Sequence, residues 1–552
     1  MPASSTSRLF TMVALLGLLA SLAQAVAVFP RTWYPVLNTP HGDVSGKTSA
    51  NGAIAYTVPY ARPPIGERRF ADPVPVARFS SLRRSIRRAR TPRRWNGSKP
   101  PKACPQPGLT EGTSEDCLYM TVYTPPNAKP TSNLPVVFWV HGGTFVLGGI
   151  SSLDASAWAK EHNTVVVTVQ YRLGLLGFLK FDKYGLSGNY GLKDVIAALQ
   201  FVQSDIKAYG GDPSKVTIAG QSSGAEMIKS LLVTPSATPL FARAILHSAP
   251  LDTADQPSDV ANAVGKVAAV DLLGCRSFPC LKNKNVDEIV SATASILSSG
   301  MALSQSIPGL SFGEPIRVAV DGELVTRDFQ QVVASGGPLE GAGKELIFTT
   351  TKNEGCTTTN TFSTMLGGLT ADNMAMAIGV GFSTRAPGIL SSGLYTPDAS
   401  GDATEAIMQL ATDFSWTCPN QQTAINATAA SGFSRKVYLG EFDLGVDFDQ
   451  GAVSLCSGKV DHQDDIYTLF APPSSLTSAQ QTLSDEVQAR WSAFARTGSP
   501  NPSGYTAWPT VASSKDDLSV LVLGGKANGK SSTTKSQRPD ECKIGSGLYT
   551  LA

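Results

Sequence analysis

The chain has 552 residues, 42% hydrophobic and 16% charged, with 46 Lys and Arg against 44 Asp and Glu. That length and apolar content exclude a peptide effector and a disordered chain. The formal charge of +2 excludes a strongly basic nucleic-acid binder and a strongly acidic chain. The total hides one uneven stretch. Arg78 to Arg94 contains eight arginines and no acidic residue, and without them 38 basic residues face 44 acidic ones. The body of the chain is therefore mildly acidic, and the block reads as a solvated loop, a dibasic processing site or a contact for an anionic polymer.

At the N-terminus, Arg8 precedes an apolar run from Leu9 to Leu22 and then Ala23-Gln24-Ala25. A basic start, a short apolar core and an A-x-A site predict a secretory signal peptide over residues 1–25, with the mature chain starting near Val26. Thr11 and Gly17 interrupt the run, which falls short of the roughly 20 apolar residues that span a bilayer. A secreted, extracellular protein without stable membrane insertion is expected. Eight cysteines suit that compartment. Cys104 and Cys117 enclose 12 residues, and Cys275 and Cys280 are also close in sequence. Cys356, Cys418, Cys456 and Cys542 allow three pairings. Asn96-Gly97-Ser98 and Asn426-Ala427-Thr428 are sequons for glycans.

Strand and helix signals then alternate. Val136–Val140, Val165–Val169, Val216–Ala219, Leu346–Phe348 and Val437–Leu439 are continuous apolar runs, as expected of strands buried on both faces of a mainly parallel sheet. Leu192, Val195, Ile196, Leu199, Val202 and Ile206 follow helical spacing up to Gly210-Gly211. Leu483, Val487, Trp491 and Phe494 do the same up to Gly498. With no internal repeat or long linker, residues 26–552 read as one α/β domain with helices covering a large sheet.

Gly220-Gln221-Ser222-Ser223-Gly224 follows the third of those strands and opens an apolar helical segment from Ala225 to Leu232. A sharp strand-to-helix turn flanked by glycines lifts a serine hydroxyl above a sheet, where the helix N-terminus favours negative charge. Gly309-Leu310-Ser311-Phe312-Gly313 has the same spacing, but Ile307-Pro308 precedes it and Glu314-Pro315 follows, so it reads as a loop. A serine in such a turn needs a base, and the chain order is Ser, acid, His. His41, His141 and His162 precede Ser222, and placing an acid before His247 would require Glu226 inside the elbow helix. The order therefore selects His462. Glu354, Asp413, Asp443 and Asp447 are among the acids between them, and Glu354 is favoured because it sits just past the strand Leu346–Phe348. His141-Gly142-Gly143-Thr144 ends another strand and, with the N–H of Ser223, suits an oxyanion hole.

These residues carry a resemblance. With Pro59-Tyr60-Ala61-Arg62-Pro63-Pro64, Ser114-Glu115-Asp116-Cys117-Leu118-Tyr119, Tyr171–Phe178, Gly210-Gly211-Asp212-Pro213, Asn353-Glu354-Gly355 and Trp508-Pro509, the chain resembles type-B carboxylesterases and lipases, the cholinesterase-like branch of the α/β-hydrolase fold, and within it a fungal-type secreted member. The resemblance implies a carboxylic ester hydrolase working through an acyl-enzyme, with Ser222, Glu354 and His462 catalytic. It implies oxyanion donors at Gly143, Thr144 and Ser223 with Gly142 supporting the turn, a supporting serine at Ser248, and disulfides Cys104–Cys117 and Cys275–Cys280. No cofactor or metal is expected. Three positions depart from the family pattern: Gln221 stands where Glu is common, Ser223 where Ala is common, and Thr144 where a third glycine is usual. The 12 residues Pro105–Asp116 contain no aromatic, so the choline-stacking Trp and the large lid that the family places in this loop are absent from it. The expected substrate is a soluble or short-to-medium acyl ester; the alternatives are an interfacial triglyceride lipase and a non-catalytic adhesion homologue. The family also has a less basic segment where Arg78–Arg94 stands, which makes a local gene-model error a further reading of that block.

Overall fold

The computed structural model describes residues 35–542 except 80–93, 110, 312, 337–342, 383–384, 430–432, 448–452, 512–517, 537 and 539–540. The signal peptide, the start near Val26 and most of the arginine block lie outside the described residues.

Among the described residues, eleven strands form one sheet: β1 (Lys47–Thr48), β2 (Ile54–Pro59), β3 (Tyr119–Thr124), β4 (Leu134–Val140), β5 (Val165–Val169), β6 (Gly211–Gln221), β7 (Arg243–His247), β8 (Lys344–Thr351), β9 (Phe433–Phe442), β10 (Ser519–Leu523) and β11 (Ser532–Lys535). Their order is β11-β10-β9-β8-β7-β6-β4-β5-β3-β2-β1. From β5 across to β10 every pairing is parallel. The edges are antiparallel, with β3 against β5, β2 against β3, β1 against β2, and β11 against β10. The five apolar runs predicted as strands are all central. Each is buried on both faces because helices cover the sheet on both sides, so side-chain alternation sorts apolar residues between two cores.

On one face, Val136, Phe138, Val167, Ile218, Leu246 and Phe348 join the larger core. It includes residues of the helices α1 (Tyr190–Asp205) and α2 (Ser223–Leu232). On the other face, Val137, Trp139, Val166, Ala219, Ile245 and Ile347 pack with Leu483, Val487, Trp491 and Phe494. These last four belong to α8 (Ser478–Thr497), which opens on a Thr477–Gln480 capping box and stops at Gly498, φ 78°.

A third, smaller core lies outside the sheet layers. It is built from α3 (Cys356–Leu366), α4 (Ala371–Phe382), α5 (Ala386–Ser392) and α6 (Thr404–Thr412), around Phe362, Ile378, Ile389, Ile407 and Phe414. α7 (Cys418–Ala429) returns the chain to β9. The short Cys104–Cys117 loop forms no part of this helical layer.

Candidate active site

The C-terminal end of β6 runs directly into α2, and Ser222 occupies the corner with φ 56° and ψ −130°. A non-glycine residue there is strained by about 1–3 kcal/mol, which the surroundings must sustain. They do so by close packing. A Cβ on Gly224 would lie 2.3 Å from the carbonyl oxygen of Val140, and one on Gly220 2.8 Å from the same atom. Both glycines are therefore required for β4 to approach the turn. The Ser222 N–H donates to the His247 carbonyl at 2.9 Å, tying the corner to the end of β7.

Glu354 and His462 reach the same place from separate loops. Glu354 lies three residues past β8 and is buried; its Oε1 accepts the Thr351 N–H at 2.7 Å, and its Oε2 lies 2.5 Å from Nδ1 of His462. The two loops are joined again by Asn353 N–H donating to the Val460 carbonyl at 2.9 Å and by a disulfide between Cys356 and Cys456. Burial disfavours a charge on His462, but the adjoining Glu354 carboxylate, with Asp461 and Asp465, outweighs it and holds the imidazole above its ordinary 6.5. Two of the other acids named from sequence are engaged elsewhere. Asp413 accepts from Tyr395 and Gln409 and pairs with Arg538, and Asp443 pairs with Lys352.

Gly143 (φ 112°), Thr144 (φ 52°) and Phe145 (φ 60°) curl left-handed after β4. Thr144 takes this conformation despite its branched Cβ, a second strained residue next to Ser222. Among the described residues, no hydrogen bond occupies the N–H of Gly143, Thr144 or Ser223. Gly142 packs so closely on the elbow that a Cβ there would lie 2.6 Å from the Gln221 carbonyl oxygen. The hydroxyl of Ser223 accepts the Phe145 N–H at 3.1 Å, pinning the curled loop to the elbow helix. His141 is kept neutral at about 4 by burial and stacks on Tyr171, whose hydroxyl donates to the His141 carbonyl.

Gly143, Thr144, Ser222, Glu354 and His462 line one pocket of about 320 Å³. Phe362, Phe382, Ile407 and Trp416 give it apolar walls, and Asp252, Thr253 and Ser415 polar ones. Ser311 of the second Gly-x-Ser-x-Gly segment also lines it, from a loop. So the pocket roof comes from α3, α4 and α6, not from the Cys104–Cys117 loop.

Several contributors were not singled out from sequence. Trp416 lies 5.3 Å from the His462 ring, centroid to centroid, and its Nε1 donates to the Ser248 carbonyl at 3.1 Å. The hydroxyl of Ser248 itself is buried without a hydrogen-bond partner. Its neighbour His247 is the connected side chain. Trp491 Nε1 donates to its Nε2 at 2.8 Å, and a tryptophan can only donate, so the ring proton sits on Nδ1 and points to Asp465 at 2.8 Å. His247 and Asp465 are fully buried and join the Ser222 corner to the loop of His462. The position of His247 at a strand end was the available signal.

Cys104–Cys117 and Cys275–Cys280 are bonded, and the remaining four cysteines pair as Cys356–Cys456 and Cys418–Cys542. Asn96 is exposed at a strand end, whereas Asn426 is half-buried in α7 with its Oδ1 accepting from Gln422. No helix among the described residues is long and apolar enough to cross a membrane.

Residues 34–542 match the model of the Carboxylesterase family. Curated relatives include Carboxylesterase 1E of Mus musculus, 29% identical over 528 residues, covering 86% of this chain and 88% of that protein. Acylcarnitine hydrolase of Mus musculus is 30% identical over 517 residues, covering 86% of each. Among solved structures, a PNB esterase superposes with a TM-score of 0.75 at 25% identity, over 93% of this chain and all of that one. A Geobacillus stearothermophilus carboxylesterase gives 0.74 at 25% identity, over 93% of this chain and all of that one. With the elbow, the free N–H groups and the sheet order, this match shows that the chain belongs to the carboxylesterase family, has the α/β-hydrolase fold and is a hydrolase of carboxylic esters.

Proposed function

We propose that Ser222 is the nucleophile, His462 its general base and Glu354 the residue that orients the base. The observation that carries this reading is the 2.5 Å contact between His462 Nδ1 and Glu354 Oε2, opening on the same pocket as a serine held at φ 56°. Ser222 Oγ attacks the ester carbonyl carbon while its proton passes to Nε2 of His462. The oxyanion is held by the N–H groups of Gly143, Thr144 and Ser223, each such donor typically worth about 2.7–4 kcal/mol of barrier, with Gly142 shaping the turn. Collapse returns the proton to the departing alcohol, and water repeats the sequence on the acyl-enzyme to release the acid.

The substrate is a small-molecule ester; we infer a soluble or short-to-medium acyl chain from the pocket size and from the short Cys104–Cys117 loop. One observation favours a second reading, an interfacial lipase: Met376 and Val380 of α4, Leu390 of α5 and Leu394 just after it are exposed. A p-nitrophenyl ester series from acetate to palmitate, run with wild type and Ser222→Ala, tests both. Preference for short chains, abolished in the variant, is expected. Strong activation by emulsified long-chain triglyceride, with little turnover of short esters, would replace the first reading with the second. Four disulfides and the N-terminal signal pattern support an exported single-domain enzyme. Asn96 is the better-placed glycan acceptor.

A further inference from the structure

The Cys104–Cys117 loop reaches the oxyanion loop through one side chain. Gln106, just past the first cysteine, is buried. Its Oε1 accepts the Gly148 N–H at 2.9 Å, and its Nε2 donates to the Gly148 carbonyl at 2.8 Å and to the Cys104 carbonyl at 3.1 Å. The pairing with Gly148 is reciprocal, as between two strand residues, so the amide has one orientation only. The loop that carries Gln106 is fixed at both feet. The Cys104–Cys117 disulfide closes it. Gln170, the residue after β5, donates its Nε2 to the carbonyls of Lys102 at 2.8 Å and Cys117 at 3.0 Å.

Gly148 is the exit of the turn whose entry carries the oxyanion donors. The Gly143 carbonyl accepts the N–H groups of Val146 at 3.0 Å and Leu147 at 2.8 Å, which closes residues 143–147 on themselves. At Gly148, φ 110°, an added Cβ would lie 2.5 Å from the Gly142 carbonyl oxygen and 2.5 Å from Nδ1 of His141. Exit and entry are therefore in contact, and what holds Gly148 also holds Gly142 and Gly143. The tip is held separately. The Phe145 N–H donates to the Ser223 hydroxyl at 3.1 Å, and the Phe145 carbonyl accepts the Gly174 N–H at 2.8 Å. Thr144 and Phe145 at positive φ would relax toward ordinary backbone if the neck of the turn were free. Gln106 grips that neck.

We propose that Gln106 is a positioning residue: from the disulfide-closed loop its amide clamps both backbone groups of Gly148 and so keeps the N–H groups of Gly143 and Thr144 converging on the oxyanion. The proposal rests on the oxyanion role assigned above to those groups. The short cysteine loop, which is no part of the pocket roof, braces the side of the site where negative charge develops. Gln106 does not line the pocket, so ground-state binding does not depend on it. Its effect falls on kcat, where the oxyanion donors act.

The test compares wild type, Gln106→Met, Gln106→Glu and Ser222→Ala on p-nitrophenyl butyrate, well below the Tm of each. It also measures inhibition by hexyl trifluoromethyl ketone, whose adduct with the serine carries an oxyanion, and by hexyl methyl ketone, which binds without forming one. In Gln106→Met, which keeps the volume and removes the clamp, kcat is expected to fall by about 10- to 100-fold, part of the 10²–10³ that one lost donor costs. KM stays within about twofold, as for an interaction made only in the transition state. Affinity for the trifluoromethyl ketone falls in the same proportion as kcat, and affinity for the methyl ketone stays. Gln106→Glu still accepts the Gly148 N–H but has no proton for the Gly148 carbonyl, and its losses fall between wild type and Gln106→Met. A lowered Tm beside wild-type kcat and wild-type trifluoromethyl ketone affinity overturns the proposal, as do equal losses for both ketones. If Gln106→Met does not fold, Gln106→Glu decides on the same criteria. A wild type that does not prefer the trifluoromethyl ketone, or turnover surviving in Ser222→Ala, sinks the reading of the site itself; a preference that persists intact in Gln106→Met sinks only the role of Gln106.

Discussion

Gly220–Gly224 and Gly309–Gly313 share one pattern of Gly, Ser and Gly, and both border one pocket, yet their surroundings differ throughout. Ser222 is held between a buried strand and a buried helix at φ 56°. Ser311 lies in a loop between Ile307-Pro308 and Glu314-Pro315. At Gly224 a Cβ would strike the Val140 carbonyl at 2.3 Å, whereas at Gly313 it would meet nothing within 4 Å. Under the proposed mechanism the pattern carries chemistry only where two rigid elements force the serine into a strained corner of the pocket shared with His462; elsewhere the same letters are pocket wall.

The sharpest way to break this contrast is to remove each hydroxyl. Ser222→Ala is expected to lower kcat by about 10⁴–10⁶-fold, as loss of a serine nucleophile does, while Ser311→Ala stays within about threefold, the range of a lost contact; comparable losses in both would end the distinction. Glycine replacement comes next. Gly224→Ala should destabilise by about 3 kcal/mol or more through overpacking against β4, read as a lowered Tm, and Gly313→Ala should leave the Tm in place. The pH profile sharpens the account of the base. His462 must be neutral to take the serine proton, and its pKa is raised, so activity is lost as pH falls through that value. The acidic limb of kcat/KM should therefore have its midpoint above 6.5, the ordinary histidine value, and Glu354→Gln should move it down. A smaller effect is expected at Ser223→Ala. It removes the acceptor of the Phe145 N–H and should reduce kcat by about two- to tenfold, roughly one hydrogen bond's worth, with KM unchanged; no change would mean that the curled loop holds without it.

Much of this arrangement is legible in the residues. The five runs are legible as strands because burial on both faces leaves them almost wholly apolar, with Thr168 and Thr217 as buried exceptions. His462 is selected as the candidate base by chain order together with the place of Glu226, since the only acid between Ser222 and His247 lies inside the elbow helix. What could not be read lies in contacts between distant segments. Asp465 and Trp491 reveal nothing as letters, because their role is to meet His247 from 218 and 244 residues away. The same holds for Trp416 beside His462 and for Cys356–Cys456 across a sequence separation of 100. The pocket roof is helical, and its helices carry no mark in the sequence of which pocket they cover.

The amino-acid sequence by itself determined the sheet-and-helix alternation, the strand-to-helix turn at Ser222, His462 as the candidate base and the short cysteine loop. These depend on local periodicity, on glycine spacing and on chain order, all of which are one-dimensional quantities. Tertiary structure alone decided which of several acids meets His462, how four cysteines choose among three pairings, and that the Gln221 amide rests against the His462 ring. Each of those is a choice among chemically equivalent groups. Only distance, 2.5 Å between Glu354 and His462, separates the acid that meets the imidazole from those that do not.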